Sequence, residues 1–280
     1  MKRQIQFRSN ALDPPKAQAE ADPGDVAEND TESILFALAQ AVEQRDPHTA
    51  RHCERLALIS IALGTALELE RASLLALYQG GYLHDIGKVG IPDSILFKPG
   101  RLTAEEWTVM RSHPVRGQEI CQHLRSLDAV LPIIRHHHER WDGSGYPDGL
   151  RGKQIPLLAR VLQIADIYDA LTSARPYKRA YETKEALRII EKETERGWRD
   201  PEIVTIFFQL HKGVISQIDS YSTDPLGLSA LQSAMQNLTG AFRRTSGAGA
   251  EVSARTFSPL LRSAPSGGSR LGATDTWHTG

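Results

Sequence analysis

Residues 82–93 read YLHDIGKVGIPD, and the chain changes character at their centre. Upstream, apolar periodicity predicts a helix from about Glu68 to Ile86, with Gly87 placed to end it in the left-handed conformation. His84 and Asp85 then fall in the last turn, where a carboxylate meets the negative end of the helix dipole and needs a cation nearby. Gly80-Gly81, one turn earlier, permits close approach of another helix. A lone His-Asp pair is ordinarily a capping or surface pair, but this one has company. Eight of the ten histidines lie between positions 48 and 138, and histidine is the commonest transition-metal ligand. The chain reads as built around a metal.

Working outward, helical spacing dominates. Ile34, Leu35, Leu38, Ala41 and Val42 form one apolar face behind an Asp30/Thr31 cap. Asp46-Pro47 restarts a helix running to about Gly64, and Thr103 to Glu106 is a capping-box start. Further helices are expected at 115–124, 128–138, 157–173, 183–194 and 201–211, the last opened by Asp200-Pro201. No convincing alternating strand appears, so the expected class is all-α, a helical bundle. Residues 1–30 read as a flexible leader and 31–215 as one domain. Residues 216–280 read as a low-complexity tail expected to be disordered, with a short helix near Leu226–Leu238.

Composition bounds the function. A net charge of −1 supplies no global field for a nucleic acid polymer or an anionic membrane. The basic N-terminus lacks the apolar core of a secretory signal, and stretches such as ILFALAQAV are too short to span a bilayer. Cytoplasmic localisation is expected. Two cysteines, Cys53 and Cys121, lie outside any CxxC spacing, which argues against a thiolate zinc site and for buried free thiols.

The remaining chemistry is imidazole and carboxylate. His48 and His52, four apart, share a helix face; His113-Pro114 sits at a helix junction; His136-His137-His138-Glu139 leads into RWDGSGYPDG. Asp166 and Asp169 interrupt an apolar helix, where a metal or an arginine could serve them. Thiolate-free mixed ligands suit iron, manganese, cobalt, nickel or zinc. There are more of them than one tetrahedral zinc uses, so two carboxylate-bridged metals are the economical reading.

The ordered set of histidines and aspartates resembles the HD superfamily of metal-dependent phosphohydrolases. The segments HDIGKVGIPDSIL, SHPVRG and HHHERWDGSGYPDG through RPYK are similar to the HD-GYP subfamily of cyclic di-GMP phosphodiesterases, over about residues 33–211. The resemblance implies an HD-type bundle with extra C-terminal helices. It implies metal ligands at His52, His84, Asp85, His113, His137, His138 and Asp166, with Asp85 as bridge and His136 outside the set. Lys88 matches the lysine near the scissile phosphate, and Tyr146 belongs to the GYP motif. Arg175 and Lys178 match basic residues that contact substrate. The implied cofactors are two divalent metals, iron or manganese. A third stays open because His48 stands where some members carry glutamate. Tyr146 would offer a face to a guanine, and the Gly-rich loop Asp142–Gly152 would let backbone approach the ligand. Tyr177 and Tyr181 are expected to be packing residues. The implied activity is cleavage of cyclic di-GMP to linear pGpG and onward to GMP. The rival readings are hydrolysis of another cyclic dinucleotide or nucleotide, and a signalling module binding protein partners through the GYP loop. A dimer stays open.

Overall fold

The computed structural model describes residues 34–42, 52–173 and 180–215. The expected leader, tail and Leu226–Leu238 helix, both upstream helix starts, and the expectations for His48, Arg175, Tyr177 and Lys178 lie outside the described residues. Within them the chain is all-α: α1 (34–42), α2 (His52–Ala66), α3 (Arg71–Leu83), α4 (Asp93–Leu96), α5 (Ala104–Met110), α6 (His113–Cys121), α7 (Leu131–His136), α8 (Leu157–Thr172), α9 (Thr183–Glu195) and α10 (Pro201–Leu210). The one β feature among these residues is an isolated bridge between Asp142 and Arg151.

Burial explains the layering. In α2, 12 of 15 residues are buried, so it is apolar around its circumference and serves as the interior helix. It packs on α3, α8 and α10, and Leu56, Ile61, Leu77, Leu83, Leu162 and Phe207 fill the space between. By contrast α9 buries only Ala186, Ile190 and Glu193 and covers the outside. Cys53 and Cys121 are buried and unbridged, as expected, and burial pushes the Cys121 thiol up to about 11.

Helix ends follow the local chemistry. Thr103 and Glu106 form the expected capping box, and the Asp200 side chain accepts from the Glu202 amide with Pro201 in the first turn. Pro114 allows α6 to begin at His113, two residues earlier than expected, because its missing N–H falls where no helical partner exists. Tyr181, expected to pack, is 40% exposed.

Gly87 departs from expectation in an instructive way. Helix α3 ends at Leu83 with His84 as its C-cap, and the chain enters a 3-10 turn, Ile86–Gly90. The residues with left-handed backbone do not include Gly87. A Cβ there would instead run into the His113 carbonyl oxygen and the Gly117 amide of α6. Gly80 and Gly81 do serve close approach: a Cβ on Gly80 would lie 2.9 Å from Ile133, and one on Gly81 2.8 Å from the Ala57 Cα. Helix α3 is thus held tightly between α7 and α2. Those contacts bring its C-terminus beside the start of α2 and the end of α7.

Because the obstructing atoms are backbone, Gly87→Ala should cost about 1–3 kcal/mol. The measurement is the urea unfolding midpoint at unchanged far-ultraviolet dichroism. A midpoint equal to the wild type's would show that the turn relaxes around the methyl.

Candidate metal centre and cleft

Three of the histidines share one local geometry. Each ring turns back on its own chain, so that Nδ1 meets the carbonyl oxygen three residues upstream. His84 reaches Gly81 at 3.1 Å, His113 reaches Met110 at 2.9 Å, and His137 reaches Ile134 at 2.8 Å. A carbonyl can only accept, so Nδ1 carries the proton and Nε2 keeps its lone pair. The acceptors belong to the final residues of α3, α5 and α7, whose carbonyls lack helical partners. The fourth ring, His52, has Nδ1 2.6 Å from Asp169 Oδ2 and Nε2 3.8 Å from Asp166 Oδ1.

These rings surround Asp85. His84 Nε2 lies 3.2 Å from its Oδ2, while His113 Nε2 and His137 Nε2 lie 3.1 and 3.7 Å from its Oδ1. The ligand atoms fall into two groups, His52/His84/Asp166 and Asp85/His113/His137/His138. One carboxylate therefore borders both. His84 Nε2 and Asp85 Oδ1 are buried with no hydrogen-bond partner, a costly arrangement unless a cation completes it. The donor set fits a pair of divalent transition ions.

Charge is arranged to match. Burial opposes ionisation of Asp85, but the charges of Lys88 and His84 hold its carboxyl well below the usual range. Lys88 Nζ is 2.7 Å from Asp85 Oδ2. Burial, reinforced by His137 and His113, keeps His138 from taking up a proton. Asp85 stands just past the end of α3, as the N-cap of the 3-10 turn, rather than in its last turn.

Of the two partners expected for Asp169, a metal or an arginine, it takes the arginine: Arg55 Nε is 2.5 Å from Oδ1, and Arg55 also reaches Ser173 at 2.9 Å. Asp169 thus orients His52. Glu139 is fully buried and accepts from the amides of Asp148 and Leu150 at 2.8 and 3.1 Å. Gln163 donates to the carbonyls of His137 and Glu139. His136 faces away from the two groups, with Nδ1 3.5 Å from Asp148 Oδ2. Gln163 could have been suspected as a polar residue in an apolar helix; Glu139 gave no signal of its partners.

In the loop 142–152, Gly143, Gly149 and Gly152 take left-handed backbone, and a Cβ on Gly145 would run into the backbone of Glu139 and Arg140. These glycines let the loop fold on itself. The Tyr146 ring stacks on His138 with centroids 4.8 Å apart, so one of its faces is covered. A cleft, partly open to solvent, runs past these residues and is lined by His137, His138, Tyr146, Asp166, Arg111 and Arg140, among others.

An all-α domain with two ligand groups sharing a carboxylate defines a class of helical metal-centre domains. The HD domain family profile matches residues 37–203. The chain belongs to that family. It is 43% identical over 169 residues to the cyclic di-GMP phosphodiesterase response regulator RpfG of Xanthomonas campestris, covering 60% of this chain and 44% of the relative. It is 42% identical over 150 residues to 3′3′-cGAMP-specific phosphodiesterase 2 of Vibrio cholerae, covering 53% of this chain and 29% of the relative. The chain spans about half the length of its curated relatives, or less. A crystal structure of a V. cholerae cyclic GMP-AMP phosphodiesterase (V-cGAP3) superposes with a TM-score of 0.53 at 20% identity, over 76% of this chain and 61% of the other; this likeness is one of fold.

The Asp169 contacts predict two effects of Asp169→Asn. Metal affinity should fall by about 10–100-fold, read by titration. Burial resists a charge on Asp169, yet His52 and Arg55 bring its carboxyl down to about 2. An unfolded aspartate titrates near 3.9. Its stabilisation is therefore complete above about pH 4 and is lost as pH falls toward about 2. The pH dependence of the metal-free protein's urea midpoint should flatten in that window in the variant; an unchanged slope would refute the assignment.

Proposed function

We propose that this chain is a metal-dependent phosphodiesterase that hydrolyses cyclic di-GMP to linear pGpG and onward to GMP. The observation that carries the reading is the Asp85 carboxylate, with one oxygen toward His84 and the other toward His113 and His137. In this reading His52, His84 and Asp166 hold one divalent ion, His113, His137 and His138 hold the other, and Asp85 serves both. Iron or manganese suits the donors, and a third ion beside His48 stays open. Such a pair, when bound, supplies an acidified water as nucleophile and positive charge for the phosphodiester.

The chain's own groups do the rest. The Nδ1 bonds hold the imidazoles unprotonated at Nε2 and fixed in direction, so little reorganisation is needed on binding. Lys88, beside Asp85, offsets charge growing on the leaving oxygen. The buried floor of the cleft lowers the local dielectric and strengthens each of these interactions. By resemblance, Arg175 and Lys178 add substrate contacts. Among the described residues no helix is long and apolar enough to cross a membrane, which agrees with work in the cytoplasm. Ser144, Asp148 and Gly149 leave the rim of the GYP loop exposed for protein partners.

A second substrate has support of its own, since three relatives are named as 3′3′-cGAMP-specific phosphodiesterases. Both are tested with anaerobically prepared, metal-analysed protein. Wild type should turn over cyclic di-GMP faster than 3′3′-cGAMP. Asp85→Ala should stay folded while losing metal and about 10²–10³-fold or more of turnover. Faster cleavage of 3′3′-cGAMP would reassign the substrate, and full activity of folded Asp85→Ala would sink the mechanism.

A further inference from the structure

A cyclic dinucleotide presents two phosphodiesters, and the two ligand groups account for the one being cut. The other must also be desolvated in the cleft, and a buried phosphate without a counter-charge is costly. Two arginines on the cleft wall meet that need. Arg111 lies over the Tyr146 and Trp107 rings, 5.3 and 5.5 Å from their centroids. Arg140 lies over Trp198 at 4.0 Å. Neither has an acidic partner among the described residues. Three neighbouring arginines do have one: Arg135 pairs with Asp148, Arg160 with Asp200, and Arg199 with Glu193.

Stacking on an aromatic face holds a guanidinium flat and leaves its N–H edge for an anion or a guanine. Arg140 also repels the buried Arg199, which an anion between them would relieve. On the proposed function stated above, we propose that Arg111 and Arg140 form the subsite for the phosphodiester that is not being cut. The cleft thereby selects cyclic dinucleotides over substrates with a single phosphodiester.

The test uses metal-loaded full chain turning over bis(p-nitrophenyl) phosphate, with cyclic di-GMP as competitor. Arg111→Met and Arg140→Met keep the side-chain length and can still lie on the rings. Each should raise the inhibition constant of cyclic di-GMP by about tenfold, as loss of a charge-assisted hydrogen bond predicts. Any rise in KM for bis(p-nitrophenyl) phosphate should be several-fold smaller. Arg140→Lys should recover part of the loss. An unchanged inhibition constant, an equal loss on both compounds, or a loss matched by a lower Tm and lost metal overturns the subsite. Arginine-dependent inhibition by cyclic di-GMP that is never cut would defeat the proposed function and uphold the subsite. Cleavage without arginine dependence would do the reverse, and neither inhibition nor cleavage would defeat both.

Discussion

The turn of each histidine onto a carbonyl three residues upstream is the constraint on which the centre depends. Helices α3, α5 and α7 each end in carbonyls that need donors, and His84, His113 and His137 supply them through Nδ1. One bond therefore finishes a helix, selects a tautomer and aims Nε2 at Asp85. It also brings three negative helix ends together around two carboxylates, a setting that favours cations. The tight seating of Gly81 on Ala57 and of Gly80 on Ile133 keeps these ends in register.

The loop after His138 is organised from beneath by a second buried carboxylate. Glu139 would be expensive to bury alone, but its two oxygens accept the Asp148 and Leu150 amides. Arg135 then holds Asp148 from outside through two bonds of 2.7 and 2.8 Å. Because Gly145 lies against the backbone of Glu139 and Arg140, the loop cannot lift without disturbing Tyr146 and the His138 ring beneath it. The GYP segment thus takes part in placing the His138 imidazole as well as forming a wall of the cleft.

Much of this was legible in the chain because it is local. Helical periodicity reports burial directly, so the all-α class and most helices could be read, and Thr103 with Glu106 announces its own cap. The clustering of histidines is likewise visible without coordinates. What sequence hides is partnership across distance: Arg55 with Asp169 spans 114 residues, and nothing near either residue names the other. Gly87 shows the same limit. A glycine after a helix suggests a left-handed end, but here the reason for it lies in the backbone of α6.

The electrostatics follow the same logic. A chain of net charge −1 holds a strongly anionic ligand only if positive charge is concentrated locally and kept from neutralising itself. Arginines that pair with carboxylates, as Arg135 does with Asp148, stabilise the fold and offer little to a ligand. Aromatic rings provide the alternative: they hold a guanidinium in place while leaving its charge uncompensated. Trp107, Tyr146 and Trp198 do this around the cleft. In the proposed subsite the positive charge offered to a ligand would therefore reside on stacked arginines, while the acidic side chains serve histidines, amides and helix ends.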